Sequence, residues 1–344
     1  MSTVVRLSED ETTASEWINT LKGYALETSV FFVEGHIDVV GIEEWLQRLP
    51  DPPESEQVEE LRTLIYSIKA RADMMPGRQL AYSLRTSLSA DIEKVEWMDT
   101  RLPPSSEDSP SWSTGCVPID NVARGHGMSV IAGAPKAGKS LLALSSAIEA
   151  ALSDDWKVVY INAEMTANGI MKRMSNYLGG KFDDRIHDNL FIANVYPGIT
   201  PSDMCDQIVE HAIDDESDRL LIVLDSINRL ASFATSAEDG ESYWTAIDSW
   251  QRWGLISRRI SEGAISWLMV SELNSRNEVK GQNLVYTADY VVRLTQTEAQ
   301  DVVQIDVPYA REKPAIDVGP CFRDFASGRF VQHGASIGPA WVHE

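Results

Sequence analysis

Gly133-Ala-Pro-Lys-Ala-Gly138-Lys139-Ser140 fits the spacing G-x-x-x-x-G-K-S without a gap. Glycines allow the tight turn in which backbone N–H groups wrap an anion, and a helix starting behind them adds its own N–H groups and dipole. The Lys that follows is placed to reach β- and γ-phosphates, and the Ser hydroxyl to bind Mg2+. The stretch read as nucleotide-binding is Gly133, Ala134, Pro135, Lys136, Ala137, Gly138, Lys139, Ser140 and Leu141. Lys136 is an extra cation in the loop, expected to face solvent. The implied ligand is ATP with Mg2+.

Two carboxylates have the right setting to serve such a ligand. "LLIVLDS" ends an apolar run on Asp225, as a strand does when it delivers a carboxylate to Mg2+ next to Ser140. "VVYINAEM" ends another apolar run near Glu164, the best candidate for a general base that activates water. Taken singly, each is also an ordinary residue, a strand-ending Asp or a helix-capping acid. Their place after separate strands in one chain is what joins them to the loop.

The elements that must position these groups are legible in the apolar pattern. "MSVIAGA", "WKVVYINA", "NLFIANV", "RLLIVLDS" and "AISWLMVS" are short apolar runs separated by helical or polar stretches. Strands alternating with helices imply an α/β fold with a parallel sheet. "DYVVRLTQ", "VVQIDVPYA" and "GRFVQ" read as further edge strands with antiparallel pairing. In "GITPSDM", Thr200 suits a helix N-cap, Pro201 the first helical position and Asp203 the first turn.

Ahead of this lies a region of different character. "DETTASEWINTLKGYALETSVFF" and "SEQVEELRTLIYSIKARADMM" space their apolar residues helically, with "RLPDPPESE" between them. "DTRLPPSSEDSPSWSTG", at 99–115, is rich in Pro, Ser and acid and reads as a linker. The division expected is a small, mainly helical N-terminal domain over 1–100, a linker over 101–112, the α/β domain over 113–331 and a tail over 332–344. The N-terminal domain is assigned to oligomerisation or to docking a loader or replisome partner.

Composition limits the rest. The 344 residues are 43% hydrophobic, with Cys116, Cys205 and Cys321 too widely spaced for a disulfide or zinc framework. Together with an acidic N-terminus and no long apolar run, this fits a cytoplasmic protein without a membrane span. The formal net charge is −22, and residues 1–110 hold 10 Lys and Arg against 21 Asp and Glu. Such acidity repels nucleic acid at long range but leaves room for a local basic groove. A salt-rich habitat is another source of it.

The order of motifs carries a resemblance. "TGCVPIDNVARGHGMSVIAGAPKAGKS", "VVYINAEMTANGIMKRM", "LFIANVYPGITPSDM", "LLIVLDSINRL", "ISWLMVSELNSR" and "VVQIDVPYAREKPA" resemble successive motifs of the RecA-like P-loop ATPase core. They look most like the DnaB-type hexameric helicases and their small phage and plasmid relatives, over roughly 113–331. The resemblance implies a central, mostly parallel sheet, Glu164 as the residue activating water and Asp225 as the Mg2+-linked acid. It also implies a γ-phosphate sensor at the end of "SELN". That position usually holds Gln, and here it is Glu272, with Asn274 able to share the role. A carboxylate there repels the γ-phosphate unless it is protonated, turned away or paired. "YAREKPA" aligns with the segment that supplies an Arg finger to a neighbouring subunit, which singles out Arg311. Two loops of the family face single-stranded DNA, and the cations in them here are Arg229, Arg276 and Lys280. The implied activity is ATP hydrolysis by a hexameric ring that moves on single-stranded DNA in replication or recombination. The resemblance also covers a recombinase filament and a KaiC-like regulatory ring that does not bind DNA.

Overall fold

The computed structural model describes residues 4–6, 32–33, 36–38, 76–89, 110–121, 124–153, 155–214, 216–234, 242–261, 263–274, 278–280, 282–299, 301–310, 314–324 and 326–332. The chain divides into two compact units, 1–81 with 214–217 and 82–213 with 218–344.

In the first unit, β1 (Val4–Arg6), β2 (Phe32–Val33) and β3 (His36–Asp38) form an antiparallel sheet in the order β1-β3-β2. Most of the two stretches expected to be helical lies outside the described residues. Phe32, the last residue of the first stretch, is in a strand. Helix α1 (Pro76–Thr86) runs across the boundary between the units.

In the second unit, β4 (Ser111–Trp112) pairs with β5 (Gly125–His126) on either side of α2 (Val117–Asp120). A nine-stranded sheet follows. Its strands are β6 (Met128–Gly133), β7 (Lys157–Asn162), β8 (Leu190–Asn194), β9 (Leu220–Asp225), β10 (Ile265–Glu272), β11 (Tyr290–Gln296), β12 (Val302–Ala310), β13 (Ile316–Asp324) and β14 (Arg329–Gln332). The order is β14-β13-β12-β11-β6-β10-β9-β7-β8. The six strands from β11 to β8 are parallel to one another, and β11 to β14 pair antiparallel as an extension on one side. This is the mostly parallel α/β sheet expected from the apolar runs.

The pattern explains which strands go where. Every residue of β6 and β9 is buried, because parallel strands are covered on both faces. Along β12 buried and less buried residues mostly alternate, the period-two signature of a half-covered strand. Helices connect and cover the sheet: α3 (Lys139–Ala151), α4 (Ala167–Tyr177), α5 (Asp184–Asn189), α6 (Pro201–His211), α7 (Ile227–Ala234), α8 (Tyr243–Ile260) and α9 (Gln282–Thr287).

Two of these helices set the layers. Helix α3 is buried on nearly every side, and its Leu142, Ala143 and Ile148 share a core with Ile131, Val158, Val223, Leu268 and Val270 of the sheet. Two serines of this buried helix, Ser145 and Ser146, donate to the carbonyls of Leu142 and Thr114, so neither hydroxyl is left bare. Helix α8 presents Trp253 edge-on to Trp267 of β10, with ring centroids 4.9 Å apart. A Cβ on Gly254 would lie 2.9 Å from Met269, so the missing side chain is what allows this close approach. Alternate residues of β10 thus serve opposite layers. Helix α6 begins as its sequence indicates: Thr200 accepts from the Asp203 N–H, and Asp203 accepts from the Thr200 N–H at 3.0 Å.

The C-terminal ends of the parallel strands line up. Glu272 is in register with Gly133, and Asn162 with both Asp225 and Asn194. In an open parallel sheet this edge is where ligands bind.

Candidate active site

The loop between β6 and α3 has the backbone its sequence demands. Gly138 has φ of 100° and stands at the N-cap of α3, a conformation natural to glycine. Lys136 is exposed and has φ of 65°. Lys139 is 8% exposed, and its Nζ donates to the carbonyls of Gly133 and Ala134 at 3.0 Å each. Burial lowers the pKa of this ammonium, and the carboxylates of Glu164, Glu272 and Asp225 oppose that shift. Residues from three different strand ends therefore act on one cation.

Asp225 is fully buried at the end of β9. Its Oδ1 accepts from Ser140 Oγ at 3.0 Å, and its Oδ2 from the Tyr160 hydroxyl at 2.5 Å. Burial pushes its pKa up to about 6, against the pull of those two hydrogen bonds. One hydroxyl and one carboxylate side by side suit Mg2+, which takes few protein ligands and shares the rest with phosphates and water. Among the described residues no group of three or more His, Cys, Asp or Glu forms a metal cage of its own.

Glu164 lies just past β7 and is exposed. Its Oε1 accepts from Ser226 Oγ at 2.5 Å, and Ser226 follows Asp225 through a cis peptide bond. The turn that carries Glu164 is shaped by Asn162. The side-chain oxygen of Asn162 accepts from the N–H groups of Glu164 and Met165, at 3.3 and 2.9 Å. Its amide donates to Met165 O and to Asn194 Oδ1 at 2.6 and 2.7 Å. The general-base candidate is thus tied to two neighbouring strand ends.

Glu272 is paired. Its Oε2 lies 2.6 Å from Lys280 Nζ, and its N–H donates to Asn228 Oδ1 at 2.7 Å. The cation answers the repulsion expected of a carboxylate at a γ-phosphate sensor. It also gives Lys280, read from sequence as a DNA contact, a partner inside the protein, and that hydrogen bond raises the lysine pKa. Asn274 bonds to Glu278 through its amide at 2.9 Å, beside the bridge between Leu273 and Val279. Arg229 is exposed, with its guanidinium 5.1 Å from the Phe233 ring centroid. Arg276 and Arg311 lie outside the described residues.

The structure brings Lys139, Ser140, Asp225, Glu164 and Glu272 together. It adds Tyr160, Asn162, Ser226, Asn228 and Arg323, which the sequence did not mark. Tyr160 and Asn162 sit in a run already read as strand, and their alternation with Val159 and Ile161 gave no separate sign. Arg323 donates to the carbonyl of Lys136 from β13, far away in sequence.

Residues 116–256 match a family model described as an AAA domain. The comparison with curated proteins found no match. Among solved structures, one ATPase domain aligns with a TM-score of 0.51 at 15% identity, over 66% of this chain and 93% of that one. A KaiC-like protein, PH0186 from the hyperthermophilic archaeon Pyrococcus horikoshii OT3, aligns with a TM-score of 0.49 at 14% identity, over 65% of this chain and 99% of that one. At such identities the likeness to the solved ATPase domain speaks for the fold. The chain has a RecA-like P-loop ATPase fold, with its phosphate loop inside the matched AAA segment. Among the described residues no helix is long and apolar enough to cross a membrane.

Proposed function

We propose that this chain is an ATP-hydrolysing motor of the RecA and DnaB kind, working on single-stranded DNA as a ring of identical subunits. The observation that supports it best is the convergence of Lys139, Ser140, Asp225 and Glu164 at one edge of the parallel sheet. In the proposed reaction Lys139 leaves the loop carbonyls for the β- and γ-phosphates. Ser140 and Asp225 would hold Mg2+, which when bound would offset charge on the phosphates. Glu164, oriented by Ser226 and the Asn162 turn, takes a proton from the water that attacks the γ-phosphorus, while the bond from that phosphorus to the β-phosphate oxygen breaks and ADP leaves. Arg311 is proposed to complete the neighbouring subunit's site. Glu272 and Asn274 report the γ-phosphate, and Arg229 and Arg276 contact DNA phosphates. The N-terminal domain is assigned to oligomerisation or partner docking.

Mixed oligomers test the shared site. Glu164→Gln and Arg311→Ala should each bind ATP and lose hydrolysis by about 100-fold or more, the scale of a lost base or finger. Mixed together they should regain activity, because some interfaces then pair an intact Glu164 with an intact Arg311. No recovery on mixing, or full activity in Arg311→Ala alone, would remove the trans finger.

One observation favours a second reading. Lys280, a candidate DNA contact, is held by Glu272, and the chain carries a net charge of −22. A regulatory ATPase ring, in which nucleotide state governs protein partners, needs no DNA groove. ATP turnover unaffected by single-stranded DNA would select it.

A further inference from the structure

Four consecutive carbonyls of the phosphate loop are each held by a side-chain N–H donor. Lys139 holds those of Gly133 and Ala134. Gln296, from the end of β11, donates through Nε2 to the carbonyl of Pro135 at 3.1 Å. Arg323, from β13, donates through its guanidinium to the carbonyl of Lys136. The peptide between 136 and 137 is fixed at its other side too, since the Ala137 N–H donates to Ala134 O at 3.2 Å.

The last of these carbonyls belongs to a special residue. Lys136 is the only non-glycine described residue with positive φ. That backbone shape is disfavoured for an L residue and needs something to hold it. Arg323 is positioned to do so. It is 5% exposed, and a Cβ added to Gly138 would meet Arg323 Cδ at 3.1 Å and the Phe330 ring at 3.0 Å. The antiparallel extension thus holds two successive carbonyls of the loop, the second at its positive-φ residue.

Lys139 has two duties that conflict. To reach a phosphate its ammonium must release Gly133 and Ala134. Gln296 and Arg323 have no such conflict, since both bond the loop from the extension. We propose that Arg323 and Gln296 are positioning residues that keep the carbonyls turned outward, and so the amides turned toward the phosphates, before and during ATP binding. Amides already aligned need no reorganisation when the anion arrives. The inference rests on the nucleotide-binding reading of the loop but not on DNA as the partner. It assigns to β11 and β13 a direct part in ATP affinity, supplied by the same subunit that owns the loop.

The test is ATP affinity in the full-length protein, measured with a fluorescent ATP analogue, beside steady-state KM and kcat. Arg323→Met should raise Kd and KM by roughly 10-fold with kcat within about 3-fold, the pattern of lost ground-state binding. Arg323→Lys should recover part of the affinity, because an ammonium can still donate to the Lys136 carbonyl. Gln296 is exposed, so Gln296→Ala tests the clamp without threatening the fold, and Kd should rise by about 2- to 5-fold. An unchanged Kd in Gln296→Ala overturns the proposal, even where Arg323→Met fails to fold. A fall in kcat at unchanged KM also overturns it, since Arg323 would then act on the transferring phosphate. If the wild type binds no ATP analogue, the nucleotide reading falls and the clamp with it.

Discussion

Asp225 carries an electrostatic conflict in a single side chain. In the proposed site it must be ionised to hold Mg2+, yet it is fully buried and its pKa is pushed up to about 6. A folded pKa above the usual 3.8 means a stabilising contribution that is complete below pH 4 and lost as pH rises through 6. In the nucleotide-free protein at pH 8, Asp225→Asn should therefore be more stable than wild type, by on the order of 3 kcal/mol. The gain should shrink toward pH 4, and ATPase activity should be absent throughout. Chemical denaturation at pH 4.5 and pH 8 measures the difference, and a variant less stable than wild type at pH 8 contradicts it. Tyr160→Phe acts in the opposite sense. It removes a hydrogen bond that lowers the Asp225 pKa, so the acid limb of the ATPase pH profile should move to higher pH. An unmoved limb would mean that Asp225 does not set it. At this scale the phosphate loop, Asp225 and Glu164 were legible because each ends an apolar run. Tyr160 and Ser226 were not, because their roles depend on contacts across strands that spacing does not encode.

The strand ends and the turns after them do the positioning. Asn162 closes the turn bearing Glu164 and reaches Asn194 on the neighbouring strand. Asn162→Ala should lower kcat by about 10-fold, with KM for ATP within about 2-fold, because the proposed base, Glu164, is misplaced while the phosphate loop is untouched. Steady-state kinetics decide it, and an equal loss in KM would mean that the turn also shapes the nucleotide pocket. Element by element, the five core strands and the capped helix at Thr200 were readable as apolar runs and as cap chemistry. The pairing of Glu272 with Lys280 was not. The two residues are eight apart, and the chain doubles back through the bridge of Leu273 with Val279. From sequence the lysine looked like a free loop cation. Phe32 shows the limit of helical periodicity at one residue, since it ends an apparently helical run yet pairs in a strand.

At the scale of the whole molecule, apolar runs alternating with helices dictated a parallel sheet, and the sheet has that form. The antiparallel extension was foreseen as strands, but its grip on the phosphate loop depends on which edge of the sheet it occupies, and this the pattern does not say. Net charge works against DNA at long range, so a DNA motor here must rely on local contacts that weaken steeply with salt. The most direct measurement is the steady-state ATPase rate against single-stranded oligonucleotide at about 50 mM salt, repeated at increasing salt. The motor account predicts a several-fold rise in kcat with oligonucleotide, fading as salt increases. The same rate with and without oligonucleotide, together with no binding at low salt, would contradict it.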